Sequence, residues 1–507
     1  MRLVRNAFFA GVALLASAGF AQGMAWPTGG WQAAAPETQG IDSRALAALV
    51  EFGAQASLDS LLVARHGRLV LEAYYAPFGP DNLHTINSAT KAVAGALVGI
   101  AVQQGLLPGG DALVADVYPP FAGDGSDTRR RAVTVQHLLD MTSGISWKEP
   151  LSGMPETAMQ MGASPDWAKF VVARPMAHAP GTAFDYNSGN SQLLLAIVAH
   201  RAGMNAEAFA RQHLFEPLGI RDWRWARDST GAPAGGFGLA LRPRDMAKIG
   251  LLFLQRGQWD GRQLVPRAWV EKVFQASVPM GDDPGPAFRY GDGFWTLPGR
   301  KAYMAVGYHG QVIMVLPEPG LVVVTTSRRN VPFDALLDRL QAAVRSPSAL
   351  PVDPAAVDVL AASLRTAAVE PPQPVSTIAA PAFASQVSGR TWKLSPNPLG
   401  MKEFTLHLDG PQARLEQVSW ITRNSSQTRS TVQPLRLDGV GVRHDSGRGP
   451  AITRAGWLED GRLWVRTRFI EEGETANYLL RFDGRRLTGE YTYTTGMRAN
   501  FTAEAQD

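Results

Sequence analysis

The chain has 507 residues, 45% of them hydrophobic and 19% charged, enough for more than one domain and at least one large core. It carries a formal charge of only +4 and contains no cysteine, which excludes disulfides, a thiol nucleophile and thiolate metal sites. The one dense basic run, Arg129-Arg130-Arg131, sits in a polar loop and reads as a solvated surface rather than a nucleic-acid footprint.

Residues 1–21 read as a secretory signal. Arg2 and Arg5 form a positive start, Phe8 to Leu15 an apolar core, and Gly19-Phe20-Ala21 a small-residue cleavage site. The alternative is an uncleaved N-terminal anchor. Either way the expected location is exported, periplasmic or secreted. No later stretch is long and apolar enough for a membrane span.

Further along, Ile41-Asp42 before Leu46, Leu49 and Val50 predicts a capped amphipathic helix. Ser60 to Tyr75 predicts two strands around His66-Gly67. A helix apolar on nearly every side then runs from Ser88 toward Gly105, as expected of a buried helix. Residues 111–117 form a loop and short helix, and Val133 to Asp140 begins another helix. Segments 191–203, 205–214, 243–256 and 266–276 have helical spacing. Strands are expected at Tyr303–Val306, Gln311–Leu316 and Leu321–Thr326, with a closing helix over Phe333–Val344. This order predicts an α+β fold, an antiparallel sheet flanked by helices with a helical subdomain.

Residues 346–385 are rich in Pro and Ala and read as a linker with a helical island near 354–367. Beyond them, residues 386–507 alternate apolar and polar around Asp409-Gly410, Asp438-Gly439, Asp460-Gly461 and Asp483-Gly484. That pattern predicts a small all-β sandwich or barrel.

Three stretches carry chemistry. Ser88 and Lys91 lie one helical turn apart and share a face. A serine hydroxyl is a weak nucleophile until a neighbour takes its proton, and a lysine can do so only when neutral, which burial favours. The other reading of the pair is a capping Ser and a snorkelling Lys. Tyr186 follows a Pro180-Gly181 turn, where a phenol either moves a proton in a cleft or packs the loop on the core. Gly307-Tyr308-His309-Gly310-Gln311 enters the strongest strand, and its glycines admit a substrate close to backbone N–H donors. His309 reads equally as a substrate-binding group or a turn residue.

Taken together, Ser88-Ala89-Thr90-Lys91, Leu138 to Ile145, Tyr186-Asn187-Ser188, Gly235 to Leu239, Arg242 to Lys248 and Gly307 to Gln311 resemble the serine β-lactamase and penicillin-binding-protein superfamily. The resemblance is to its class C-related branch of esterases and 6-aminohexanoate-dimer hydrolases. It covers residues 36–345 and implies a β-lactamase-like fold. It implies Ser88 as the acylated nucleophile, Lys91 as the group assisting its deprotonation and Tyr186 as proton relay. The N–H groups of Ser88 and Gln311 are implied as the oxyanion hole, with Ser188, Tyr308, His309 and Gly310 facing substrate. The elements at 138–145 and 235–248 are expected to be structural.

Two departures matter. Ser188 stands where the family's tyrosine motif often has Asn, and Tyr308-His309-Gly310 replaces Lys-Thr-Gly, removing a cation expected to bind a β-lactam carboxylate. The expected function is an exported serine hydrolase of small ester, amide or peptide substrates, with no cofactor, metal or nucleic-acid partner. The alternatives are a penicillin-interactive DD-peptidase or β-lactamase, and a non-catalytic binding protein on the same fold. There is no His-Glu-x-x-His or Gly-x-Ser-x-Gly pattern to point elsewhere.

Overall fold

The computed structural model describes residues 24–123, 127–370, 378–408, 413–420, 427–494 and 496–506. The expected signal at 1–21 and the Asp409-Gly410 turn lie outside them. The first domain is built from α1 (Ser43–Gln55), β1 (Leu58–Arg65), β2 (Arg68–Tyr74), α2 (Thr90–Gln103), α3 (Ser188–Ala202), α4 (Pro243–Leu254), β3 (Ala302–Gly307), β4 (Gln311–Leu316), β5 (Leu321–Ser327) and α5 (Phe333–Ala343). As the sequence predicts, Asp42 caps α1, its side chain accepting from the Arg44 and Ala45 amides.

The main sheet runs β2-β1-β5-β4-β3 and continues through Phe294–Leu297, Arg289–Gly291 and Val278–Pro279. These pairings are antiparallel, and only the edge strand Gln32–Ala33 joins β2 in parallel. The near-continuous apolar runs of β4 and β5 follow from burial on both faces. Leu62, Ala64, Ile313, Val315, Val322 and Val324 point into the core shared with α2 and α4. Their alternates Leu61, Val63, Val312, Met314, Leu321 and Val323 point into the core under α1 and α5. Gly250 lets α4 lie close on the sheet, since a Cβ there would meet Val322 at 2.5 Å.

Every residue of α2 from Thr90 to Ala101 is buried. The apolar periphery of this helix is thus explained by its position between sheet and helical subdomain. Gly95 accommodates the Asp292 carbonyl, 2.6 Å from where a Cβ would stand. The hairpin turn Asp292-Gly293 lies against α2 on that side. Its φ values of 53° and 87° are those of a tight hairpin turn between two strands absent from the sequence prediction.

After the first domain, α6 (Pro354–Ala367) occupies part of the Pro/Ala-rich stretch and buries Ala356 and Leu360, the latter in the core under α1. The last domain, from Thr391 to Ala505, is a ten-stranded antiparallel sheet. Its interior is filled by Trp392, Trp457, Leu406, Leu463, Leu487 and their neighbours. Asp460-Gly461 and Asp483-Gly484 turn successive paired strands, as expected. Asp438-Gly439 instead connects Thr428–Leu435 to Val442–Asp445, the two ends of the sheet, where the sheet curls into a near-barrel. Thr467 Oγ1 donates to Gln433 Oε1 across that gap at 2.9 Å.

The two domains meet at Asp59, which is fully buried on β1. Its carboxylate takes Arg328 Nε at 2.9 Å and, from the last domain, an Arg468 guanidinium nitrogen at 3.1 Å; His84 Nε2 lies 3.1 Å away. The Thr85 amide, three residues before Ser88, donates to the Glu471 carbonyl of the last domain at 2.6 Å. Among the described residues no helix is long and apolar enough to cross a membrane.

Candidate active site

Ser88 lies not in α2 itself but in the 3₁₀ turn Asn87–Ala89 that leads into it. Asn87 adopts φ 49°, an unusual conformation for which Asn is among the better-suited residues. Its side-chain amide donates to the Tyr308 carbonyl at 3.1 Å. A Cβ on Gly307 would fall 2.1 Å from the Ile86 carbonyl oxygen, so glycine there lets the two backbones touch. The turn that follows places His309 at φ 61° and Gly310 at φ 82°. The backbones bearing the Ser88 and Gln311 amides are thereby brought side by side. The Gln311 side chain is buried and braces the strand end, donating to the Ser327 carbonyl at 2.7 Å.

Lys91 is 1% exposed, and its Nζ contacts three oxygens: Ser88 Oγ at 3.0 Å, Ser188 Oγ at 3.0 Å and the Gly236 carbonyl at 2.9 Å. The ring of Tyr186, itself buried, has its centroid 4.6 Å from the same nitrogen. That ring meets fully buried Tyr290 in a T-shaped contact, at 6.1 Å between centroids. Ser88, Lys91, Tyr186, Ser188 and the 307–311 turn therefore converge. Tyr308 is exposed and stacks on His309 at 3.8 Å, forming a neutral aromatic rim, because burial holds the His309 imidazole below its usual range.

Two participants were not singled out from sequence. Gly236, assigned with its neighbours to structure, gives its carbonyl to Lys91. It has no room for a side chain, because a Cβ would meet Ser188 Cβ at 2.7 Å. Glu149 was not singled out at all. Helix α3 starts at Ser188, three residues earlier than the periodicity suggests, with Asn187 as its cap accepting from the Asn190 amide at 3.1 Å. The first helical amide is thus free of intrahelical partners. Glu149 Oε2 accepts from that Ser188 amide at 2.8 Å and from Trp147 Nε1 at 2.6 Å, while Oε1 accepts from Ser188 Oγ at 2.6 Å. A carboxylate at a helix N-terminus is favoured by the backbone dipoles.

The donor and acceptor inventory fixes what this cluster can do. The Gly236 carbonyl only accepts. Ser188 gives its single proton to Glu149, so it too accepts from Lys91. When Lys91 is a neutral amine, its two N–H bonds go to these two oxygens. Its lone pair is then left facing the Ser88 hydroxyl.

The family model for Beta-lactamase matches residues 45–346. The 6-aminohexanoate-dimer hydrolase of Paenarthrobacter ureafaciens is 26% identical over 287 residues, covering 53% of this chain and 72% of that protein. Esterase EstB of Burkholderia gladioli is 27% identical over 178 residues, 32% of this chain and 45% of its own length. Among solved structures, a putative 6-aminohexanoate-dimer hydrolase from Bacillus anthracis superposes with a TM-score of 0.50 at 18% identity, covering 66% of this chain and 86% of that one, a likeness of fold. With the matched model spanning residues 45–346, more than half of the chain, the chain belongs to the beta-lactamase family of serine hydrolases.

Proposed function

We propose that this protein hydrolyses small uncharged esters or amides through an acyl-enzyme on Ser88. The observation that carries the reading is the Lys91 arrangement, in which a buried amine held by Ser188 Oγ and the Gly236 carbonyl lies 3.0 Å from Ser88 Oγ.

Ser88 Oγ attacks the substrate carbonyl while its proton passes to Lys91 Nζ. The carbonyl oxygen becomes an oxyanion held by the Ser88 and Gln311 amides, where one such donor is worth about 10²–10³ in rate. Collapse breaks the bond to the alcohol or amine, which leaves with the proton relayed from Lys91 by way of the adjacent Tyr186 phenol. Water then attacks the acyl-Ser88 ester, its proton returns along the same groups, and the carboxylic acid departs with Ser88 restored. The neutral Tyr308–His309 rim supports uncharged substrates, since it offers no fixed cation for a substrate carboxylate. We also assign residues 1–21 as an export signal, on the strength of their composition alone; the N-terminal sequence of the mature protein tests that assignment.

The reading is tested with a fluorophosphonate probe followed by peptide mass spectrometry. Labelling at Ser88, lost together with turnover of an ester panel in Ser88→Ala, is the expected result. Turnover retained in Ser88→Ala would refute it. Rapid turnover of a chromogenic cephalosporin, beside feeble ester cleavage, would favour the β-lactamase reading instead.

A further inference from the structure

Ser88 sits on a strained turn that both domains support. Asn87, beside it, holds φ 49°, a conformation that persists only where its neighbours over-determine it. Two supports belong to the first domain. The Ile86 amide donates to the Leu239 carbonyl at 2.8 Å, continuing the pairing of His84–Thr85 with the strand Leu239–Leu241, and the Asn87 side chain reaches the Tyr308 carbonyl. The third support lies on the opposite edge of His84–Thr85. There the Thr85 amide donates to a carbonyl of the last domain, that of Glu471, at 2.6 Å.

Glu471 belongs to the hairpin turn Ile470–Gly473, between the strands Leu463–Phe469 and Glu474–Asp483. This turn is fixed to the first domain at three further points. Ile470 is fully buried in a cluster with Phe78. The Glu471 carboxylate takes Arg224, on the far strand of the same three-stranded sheet, at 2.5 Å. Gly473 packs on the buried His84 ring, so that a Cβ there would stand 2.9 Å from His84 Nε2 and 3.2 Å from Asp59 Oδ2. A shift of the turn therefore shifts His84 and Thr85 with it.

We infer that the turn Ile470–Gly473 is a positioning element for Ser88. The last domain supplies the outer edge of the strand that carries the nucleophile turn, and the Glu471 carbonyl sets where Ser88 Oγ stands relative to Lys91 and the Gln311 amide. The role rests on the reading of Ser88 as nucleophile. It gives the last domain a part in the reaction through main-chain contact, and the effect is large because misplacing a reacting group by about 1 Å costs about 10²-fold in rate.

The test compares Gly473→Ala with Gly484→Ala. Both put a side chain at positive φ in a hairpin turn of the last domain, but a Cβ at Gly484 meets nothing within 4 Å. Fluorophosphonate labelling of Ser88 and steady-state ester kinetics are measured on the folded full chains. Hydrogen exchange of the amides from Thr85 to Ser88 is read beside them, without any turnover. Gly473→Ala is expected to speed exchange at Thr85 and to slow labelling and kcat about 10–100-fold, with KM changed less than about twofold. Gly484→Ala is expected to keep the wild-type values. Unchanged exchange at Thr85 in folded Gly473→Ala would overturn the coupling. Faster exchange with wild-type labelling, or equal losses in both variants, would overturn the positioning role. A wild type not labelled at Ser88 would overturn the nucleophile and this role with it, a failure told apart from the others because exchange is read independently. Should Gly473→Ala not fold, wild-type exchange decides: the Thr85 amide is expected to be protected as well as that of Ile86, and exchange at an open-loop rate would overturn the inference.

Discussion

Ser188 and Glu149 form a two-point contact at the mouth of α3, with the serine amide and hydroxyl each donating to one carboxylate oxygen, at 2.8 and 2.6 Å. The contact decides the polarity of everything upstream. Because Ser188 donates to Glu149, it can only accept from Lys91, which ties one Lys91 N–H to Ser188 and away from Ser88. Glu149→Gln tests this positioning role. Oε2 receives two N–H donors, Ser188 and Trp147, so the amide oxygen of Gln must take that place. Its NH₂ then faces Ser188 Oγ and reverses the hydroxyl, which now donates toward Lys91. The expected result is a kcat lowered about 10–100-fold, from the 1.5–3 kcal/mol typical of a hydrogen bond to a charged group. KM should change little, which steady-state kinetics on an ester will show.

Gly307 is the second control point. Its hydrogen faces the Ile86 carbonyl, and the added carbon of Gly307→Ala would sit 2.1 Å from that oxygen. The strand entry and the Ser88 turn would have to separate, pulling the Gln311 and Ser88 amides apart. A rate loss of about 10²–10³ is expected, the value of one oxyanion donor. Slower fluorophosphonate labelling of Ser88, with the melting temperature followed in parallel, separates this effect from unfolding.

The parts of the site that share a short segment were legible in the sequence. Ser88 and Lys91 meet because they are one turn apart, and the 307–311 glycines announce a close approach whatever lies opposite. Glu149 was not legible, because it reaches Ser188 from 39 residues away. Its loop has no periodicity to fix its path. The Gly236 carbonyl was hidden for another reason: a backbone acceptor carries no side-chain signature. In the fold, the hairpin around Asp292-Gly293 did carry a signal, the same Asp-Gly dipeptide that marked turns in the last domain. It was obscured by strands of only three and four residues.

Asp292 offers a pH-dependent test. It is 2% exposed beneath α2, and burial together with the nearby Asp140 carboxylate pushes its pKa up to about 7. The folded state therefore holds a proton between about pH 4 and 7 that the unfolded chain has released. Stability from this group is full below the unfolded value and is lost as pH rises through the folded one, by at most about 1.4 kcal/mol per pH unit. Asp292→Asn suits the positive φ at this position and removes the titration. Denaturant melts should show the variant more stable than wild type at pH 8, with the difference shrinking toward pH 5. A constant difference across that range would mean that Asp292 is not the titrating group.

Asp59 is the place where the domains can be prised apart without touching the catalytic cluster. It is fully buried and satisfies Arg328 of the first domain and Arg468 of the last. Asp59→Asn keeps the shape and removes the carboxylate charge that both arginines contact. Breaking a buried ionic cluster by deleting one partner costs about 3–5 kcal/mol, because the cations remain. If that cost comes from stranded Arg468, removing Arg468 as well should return part of it. Asp59→Asn/Arg468→Gln should then be less destabilised than the two single variants together, by about 0.5–3 kcal/mol of coupling. Guanidinium unfolding of the four proteins closes the cycle. Strict additivity would show that Asp59 holds Arg328 and His84 within the first domain and contributes nothing to docking the last one.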